Sequence, residues 1–192
     1  MTSRLAGGFA CLSALAITLI HVFVFKITDQ DFLASPISEL SRGVFGVLHG
    51  FGLGWFAAGH VALAVALQTM GSGRLWRFGQ LLLAASALIL AYVAVYFSTA
   101  SDNVLYGSNA NDPLSVLASV IGVAMAAFQS GLGRRSRSLA MFNGGCFVVW
   151  LLLIPLILLV NSTWLGAYER LVAITYVIWL FGLAAAAAKS PA

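Results

Sequence analysis

The chain has 192 residues, of which 61% are apolar and only 8% are charged. A soluble domain carries about 25% charged residues, so this composition excludes a water-exposed globule, and it equally excludes an intrinsically disordered chain. A membrane-spanning helix takes about 20 apolar residues, which leaves room for about six or seven spans. The net charge of +4 is spread over short stretches between apolar runs and does not indicate nucleic-acid binding.

Six long apolar runs in chain order predict six transmembrane helices. They cover about 5–25, 44–68, 78–97, 114–132, 139–160 and 164–187. We therefore predict an all-α fold, with residues 1–192 forming a single integral membrane bundle of six helices. The first run is longer than the roughly 7–15 residues of a signal-peptide core, and we interpret it as an anchor.

The charged residues are sorted between the two sides of the predicted membrane. Alternate loops place most bases on one side: Arg4, Arg74, Arg77, Arg134, Arg135, Arg137 and Lys189. The positive-inside rule places this side, with both termini, in the cytoplasm. All the acids fall on the other side: Asp29, Asp31, Glu39, Asp102, Asp112 and Glu169. We expect a multi-pass protein of a prokaryotic cytoplasmic (inner) membrane, with an outer face that is negatively charged.

Several local patterns predict details of the bundle. The segment 35–39 combines a capping serine with a first-position proline and predicts a short helical turn. Asp112 followed by Pro113 predicts the start of span four, and Pro155 predicts a kink near the outer end of span five. Trp76 is at the inner start of span three, where interfacial anchors are common.

Small residues recur at every fourth position of span two: Gly46, Gly50, Gly54, Ala58, Ala62 and Ala66. Helices in lipid associate through close packing of small residues and through hydrogen bonds. We expect a neighbouring helix of the bundle to approach this stripe closely, with homodimerisation through the same stripe as the alternative.

Polar side chains from five spans lie at a similar depth, about 6–9 Å inside the outer surface at 1.5 Å per residue. They are His21, His49, Tyr92, Ser119 and Arg170. A charge near the bilayer centre costs about 2.5–3.5 kcal/mol, so Arg170 should face the bundle interior and needs an anionic partner or water. Glu169 points about 100° away from it, which makes Asp102 the better candidate partner. We predict that these side chains form an outer-leaflet polar pocket.

His60 lies near the middle of span two, about three turns from His49. We interpret it as a buried neutral imidazole hydrogen-bonded to a neighbouring helix, through Ser13 or Tyr176, with a proton relay as the alternative.

Three short motifs carry a resemblance to a known family: Ile37-Ser38-Glu39-Leu40-Ser41, the segment 97–102, and Glu169-Arg170 with Trp179. The chain resembles the "domain of unknown function 998" family of small polytopic prokaryotic membrane proteins, from about Pro36 to Leu183. The resemblance implies the six-span architecture and no particular reaction. Members often carry a histidine early in the fourth span, where this chain has Asp112-Pro113-Leu114-Ser115.

Several functions fit these residues. The first is a non-enzymatic protein without a cofactor, whose polar pocket binds a membrane lipid, a small amphiphile or a membrane protein partner. The second is a metal-dependent hydrolase that acts on a lipid, with zinc held by His21, His49 and an acid such as Asp102, Asp29 or Asp31. The others are a haem between His21 and His49, and transport along the face of His49 and His60.

Overall fold

The computed structural model describes residues 2–28, 30–37, 45–99 and 113–189. Within these ranges the chain forms six long α-helices and no strand. They are α1 (Thr2–Ile27), α2 (Gly46–Ala66), α3 (Arg74–Thr99), α4 (Pro113–Arg135), α5 (Arg137–Leu156) and α6 (Leu165–Ala188). Each helix is long and apolar enough to cross a membrane. The predicted all-α bundle of six transmembrane helices is therefore confirmed.

The helices are arranged in a closed ring in chain order. Each helix packs against the next one, and α6 returns to pack against α1. A contact between α2 and α6 crosses the ring, and α5 and α6 are the least extensively packed neighbours. Large apolar side chains such as Leu19, Leu88 and Leu152 are more than 60% exposed at the periphery, where lipid would cover them.

Two prolines lie close to helix ends. Helix α4 begins at Pro113, as predicted, because a first-turn residue needs no helical N–H donor. Helix α5 ends at Leu156, directly after Pro155 and before the predicted end at residue 160. The amides of Ile157, Leu158 and Leu159 bond three residues back, with Leu158 N 3.2 Å from Pro155 O. Helix α5 is therefore shorter than predicted, and the kink at Pro155 stays a prediction.

Trp76 is a core residue, contrary to its prediction as an interfacial anchor. It is 2% exposed, and its Nε1–H donates to the carbonyl of Leu67 at 2.9 Å. Its ring packs edge-on against Phe128 and lies over Gly131, where a Cβ would meet its Cζ3 at 2.8 Å. Because the indole N–H is satisfied inside the protein, the ring needs no contact with the lipid head groups.

The close approach of α1 to α2 occurs at Gly52 and Gly59, which are not members of the predicted stripe. A Cβ on Gly59 would lie 2.7 Å from the Cβ of Ser13, and one on Gly52 would lie 3.0 Å from Ile17 Cδ1. A Cβ on Gly54, within the stripe, would have nothing within 4 Å. A repeat of four residues drifts by about 40° per step around a helix of 3.6 residues per turn, so the stripe winds away from α1.

Candidate functional site

In the described part of the chain, the acids lie at one end of the bundle and most of the bases at the other. Asp31 and Glu169 lie at the end that we call the acidic end. The opposite end, which we call the basic end, carries Arg4, Arg74, Arg77, Arg134, Arg135, Arg137 and Lys189. The predicted polar pocket belongs to the acidic end.

Residues 30–37 follow α1 and dock on the first turns of α6. Ala167 N donates to the carbonyl of Leu33 at 3.0 Å, and Ile37 N donates to Glu169 Oε2 at 2.7 Å. One helix thus supplies a donor and an acceptor to a segment more than a hundred residues away in sequence. The segment between α1 and α2 is thereby fixed to α6.

Arg170 lies beneath this docked segment and is 4% exposed. Its Nη1 donates to the carbonyls of Phe32 at 3.0 Å and Ser35 at 2.9 Å. The rings of Phe25 and Phe32 lie 4.7 and 4.9 Å from its Cζ, within cation–π range. A Cβ on Gly166 would lie 2.7 Å from Nη1, so only a glycine leaves room for the guanidinium here.

The other edge of the Arg170 guanidinium has no hydrogen-bond partner among the described residues. This edge consists of Nε and Nη2, and both atoms are buried. Asp31 and Glu169 are close enough for their charges to act on Arg170, but neither accepts a hydrogen bond from this edge. Nε–H and one Nη2–H point in the same direction and form the fork that binds a carboxylate or phosphate through two parallel hydrogen bonds.

His21 and His49 lie side by side next to Arg170. Their ring centroids are 6.0 Å apart, with the rings tilted by 55°. His49 is 2% exposed, and the buried Nε2 of His21 has no hydrogen-bond partner among the described residues. The charge of Arg170 acts on His21. Three of the predicted pocket residues, from α1, α2 and α6, are therefore brought together, and we call them the Arg170 cluster.

Tyr92 and Ser119 are not part of this cluster. Tyr92 is 59% exposed on the peripheral face of α3, next to Leu88, which is 74% exposed. Ser119 is also exposed, and its hydroxyl donates to the carbonyl of Ser115 in its own helix at 3.0 Å. The sequence places both residues at the right depth, but depth does not determine in which direction a side chain points from the helix axis.

Asp102, the predicted partner of Arg170, lies outside the described residues, as does Asp29. Asp31 Oδ1 accepts hydrogen bonds within its own turn, from Leu33 N at 2.8 Å and Ala34 N at 3.4 Å. The described residues contain no group of three or more His, Cys, Asp or Glu that could hold a metal ion. A catalytic zinc takes three protein ligands, so within this part of the chain the zinc hypothesis has only the histidine pair.

The residues around the histidine pair do not fit a haem held between the two imidazoles. On α1, Ile17, one turn before His21, and Ile20, directly before it, lie 3.0 and 3.1 Å from a Cβ built on Gly52 of α2. The two helices are thus in direct contact where a macrocycle, several times wider than an imidazole, would have to separate them. We therefore derive no function through haem.

His60 forms a separate polar contact in the core and is fully buried. Its Nδ1 lies 2.8 Å from the carbonyl of Phe56, and its Nε2 pairs with the hydroxyl of Tyr176 in α6. A carbonyl only accepts, so Nδ1 carries the proton and Nε2 accepts from the tyrosine hydroxyl. Ser13, the other partner considered, donates instead to the carbonyl of Ala10 in its own helix.

Asn143 is a second buried polar residue, and the sequence analysis missed it. Its Nδ2 donates to Met125 O at 2.9 Å and to Gln129 Oε1 at 2.6 Å, while its Oδ1 accepts from Trp179 Nε1 at 2.8 Å. This side chain therefore links α4, α5 and α6. A lone carboxamide inside an apolar span was the available signal, because such a group needs partners in lipid.

Comparison with known proteins identifies the family of the chain but does not identify a reaction. Residues 9–186 match the model of the family described as "Protein of unknown function (DUF998)". The match covers most of the chain, so the protein belongs to this family and the resemblance seen in the sequence is confirmed. No curated protein and no solved structure matches the chain.

Proposed function

We propose that this member of the DUF998 family binds a phosphate-bearing membrane lipid, with the head group held by the Arg170 cluster at the acidic end. The observation that carries the proposal is the buried Nε–Nη2 edge of Arg170, which makes no hydrogen bond to any described residue. A buried donor without a partner costs about 1–3 kcal/mol, and more when it is charged. An oxyanion along this edge would remove that cost.

A phosphate group fits the donors of the cluster. Two of its oxygens would accept from Nε and Nη2 of Arg170 in the bidentate arrangement. A further oxygen would face Nε2 of His21, the other buried nitrogen without a partner among the described residues. A carboxylate has two oxygens and would use only the guanidinium edge.

The surroundings of the cluster favour an amphiphile over a free anion. On α1, the exposed side chains of Phe23, Leu19 and Leu15 form an apolar row on the lipid-facing side of the helix, roughly opposite His21. The acyl chains of a lipid bound at the cluster would lie against apolar outer faces of this kind. The charges of Asp31 and Glu169 act on Arg170 and would repel a free phosphate ion, but they would attract an ammonium. Phosphoethanolamine, which carries both groups, is therefore the favoured head group.

The test is lipid binding to the purified full chain in a mild detergent, followed by native mass spectrometry. The probes are dioctanoyl phosphatidylethanolamine, dioctanoyl phosphatidylglycerol and dioctanoylglycerol, which has no phosphate. We expect phosphatidylethanolamine to bind most tightly and dioctanoylglycerol most weakly. Arg170→Lys keeps the positive charge but removes the two parallel N–H donors of the guanidinium edge. His21→Phe keeps an aromatic ring but removes Nε2. Each should weaken phosphatidylethanolamine binding by about tenfold or more.

Lys26→Gln is the matched control, because it removes one exposed positive charge from the same end without touching the cluster. It should bind like the wild type. If Arg170→Lys fails to fold, the test is the comparison of phosphatidylethanolamine binding by His21→Phe and by the wild type. Equal binding by the wild type and His21→Phe, or equal binding of dioctanoylglycerol and phosphatidylethanolamine, would overturn the proposal. Binding that appears only in Asp102→Asn would overturn it too, because the Asp102 carboxylate would then be the partner of Arg170.

We also propose that the protein lies in the cytoplasmic membrane of a prokaryote, with the basic end and both termini inside the cell. The support is the segregation of Lys and Arg to that end. Protease treatment of intact cells should leave a tag on the C-terminus uncut. Cleavage of the tag without lysis would reverse the orientation.

A further inference from the structure

A crevice separates α5 from α6 towards the basic end of the bundle. Two cavities of about 480 and 390 Å³ lie along it, and Phe142 lines both. The Phe142 ring rests on Gly182 of α6, where an added Cβ would lie 3.3 Å from Cε2 and closer still to two other ring atoms. On either side of this contact, small residues such as Gly145 and Ala185 line the crevice and leave it open. The two helices therefore meet closely at Phe142 and Gly182, with space on either side of this contact.

The walls of the crevice change from basic to apolar along its length. Arg135 and Lys189 line the cavity nearer the basic end, together with the hydroxyl-bearing Ser136 and Ser138. Arg135 Nη1 donates to the carbonyl of Met70 at 3.3 Å, which helps hold the side chain at this position. The other cavity is lined mainly by apolar side chains. Among the described residues, no acid lines either cavity.

We infer that this crevice binds one anionic phospholipid, with its phosphate between Arg135 and Lys189 and one acyl chain along α5 past Phe142. The charge of the walls selects the occupant, because the described lining residues include two cations, Arg135 and Lys189, which complement a net negative head group. Each cavity also lies in the volume range of about 300–1,000 Å³ that is typical of ligand sites. This inference is independent of the proposed function, since it concerns other residues at the opposite end.

The experiment counts the phospholipids that the purified full chain retains in detergent, by native mass spectrometry, after mixing with palmitoyl-oleoyl phosphatidylglycerol or palmitoyl-oleoyl phosphatidylcholine. The double variant Arg135→Gln, Lys189→Gln should retain about tenfold less phosphatidylglycerol. The matched control is Arg134→Gln, Arg137→Gln, which removes two charges at the same end that do not line the crevice. It should retain as much as the wild type.

A second variant tests the acyl chain separately from the head group. A Cβ on Gly145 has nothing within 4 Å, so Gly145→Leu should fold while filling the crevice, and it should lower phosphatidylglycerol retention about tenfold. Gly54→Leu, also in open space but on α2, is its control. Three results would each overturn the inference. The first is an equal loss of phosphatidylglycerol in the two double variants, and the second is equal retention of phosphatidylglycerol and phosphatidylcholine by the wild type. The third is full retention of phosphatidylglycerol by Gly145→Leu. The loss of phosphatidylglycerol caused by Arg135→Gln, Lys189→Gln should also occur in an Arg170→Lys background, which separates this outcome from failure of the proposed function.

Discussion

The hydroxyl of Tyr176 in α6 hydrogen-bonds to Nε2 of His60 in α2 across the middle of the bundle. The opposite nitrogen of the imidazole is held by the carbonyl of Phe56 at 2.8 Å. Both ring nitrogens are therefore satisfied within the protein, and the histidine is neutral in this arrangement. The contact joins two helices that are not neighbours in the ring.

Tyr176→Phe should lower the free energy of unfolding by about 1–3 kcal/mol, because it leaves Nε2 of the buried imidazole without a donor. The measurement is reversible unfolding in detergent micelles. Thr175→Val is the control, since its exposed hydroxyl bonds only to Leu171 O of its own helix at 2.9 Å. In a double-mutant cycle, combining Tyr176→Phe with His60→Leu should cost less than the sum of the single changes. Additive effects would show that the two side chains do not interact.

Gly59→Ala should destabilise the contact between α1 and α2. The new Cβ would lie 2.7 Å from the Cβ of Ser13, and overpacking of this kind costs about 1–3 kcal/mol. Gly54→Ala on the same helix meets nothing within 4 Å and should be neutral or slightly stabilising. Thermal unfolding in detergent compares the two variants. Ser13→Gly should restore the stability of Gly59→Ala, and failure of this rescue would argue against the helix pairing described here.

Asn143→Ala should destabilise the bundle by about 1–3 kcal/mol, because Trp179 loses its acceptor and Gln129 loses a donor. Intrinsic tryptophan fluorescence during unfolding reports both stability and the environment of the indole. The control is Asn161→Ala, an exposed asparagine between α5 and α6, which should leave stability unchanged. The same unfolding midpoint for both variants would contradict the role given to Asn143.

Glu169→Ala should release the segment 30–37 from α6. The amide of Ile37 would lose its acceptor, Glu169 Oε2 at 2.7 Å, so its hydrogen exchange should accelerate about tenfold. Glu169→Gln keeps an acceptor oxygen and should show a smaller effect. Hydrogen-exchange mass spectrometry on peptides that cover 30–37 makes the comparison, with peptides from α4 as the internal reference. Unchanged exchange in Glu169→Ala would mean that this hydrogen bond does not hold the segment.

The apolar runs were sufficient to predict the six helices, because the membrane imposes both their length and their hydrogen bonding. The start of α4 at Pro113 could also be predicted from the sequence, since it depends on local backbone chemistry. The grouping of His21, His49 and Arg170 was predictable to the extent that all three residues are polar groups at one depth. A charged group inside a span must face other protein groups or the interface, which directs Arg170 inward.

The remaining features depend on the direction in which each side chain points and on contacts distant in sequence. Tyr92 and Ser119 have the same depth as Arg170 but face the periphery, because rotation about the helix axis depends on how the neighbouring helices pack. Trp76 is buried for a similar reason, since glycines on two other segments make room for its ring. The bond between Glu169 and Ile37 joins segments that no local pattern connects.

The measurement that tests the central claim most directly is dipolar dephasing between the lipid ³¹P and arginine side-chain ¹⁵N nuclei in solid-state NMR. The sample is the labelled full chain reconstituted in phosphatidylethanolamine bilayers. If the Nε–Nη2 edge of Arg170 holds the phosphate, the wild type shows a dephased arginine signal that disappears in Arg170→Lys and persists in Arg135→Gln. A spectrum in which Arg170→Lys removes no dephased signal would contradict the account.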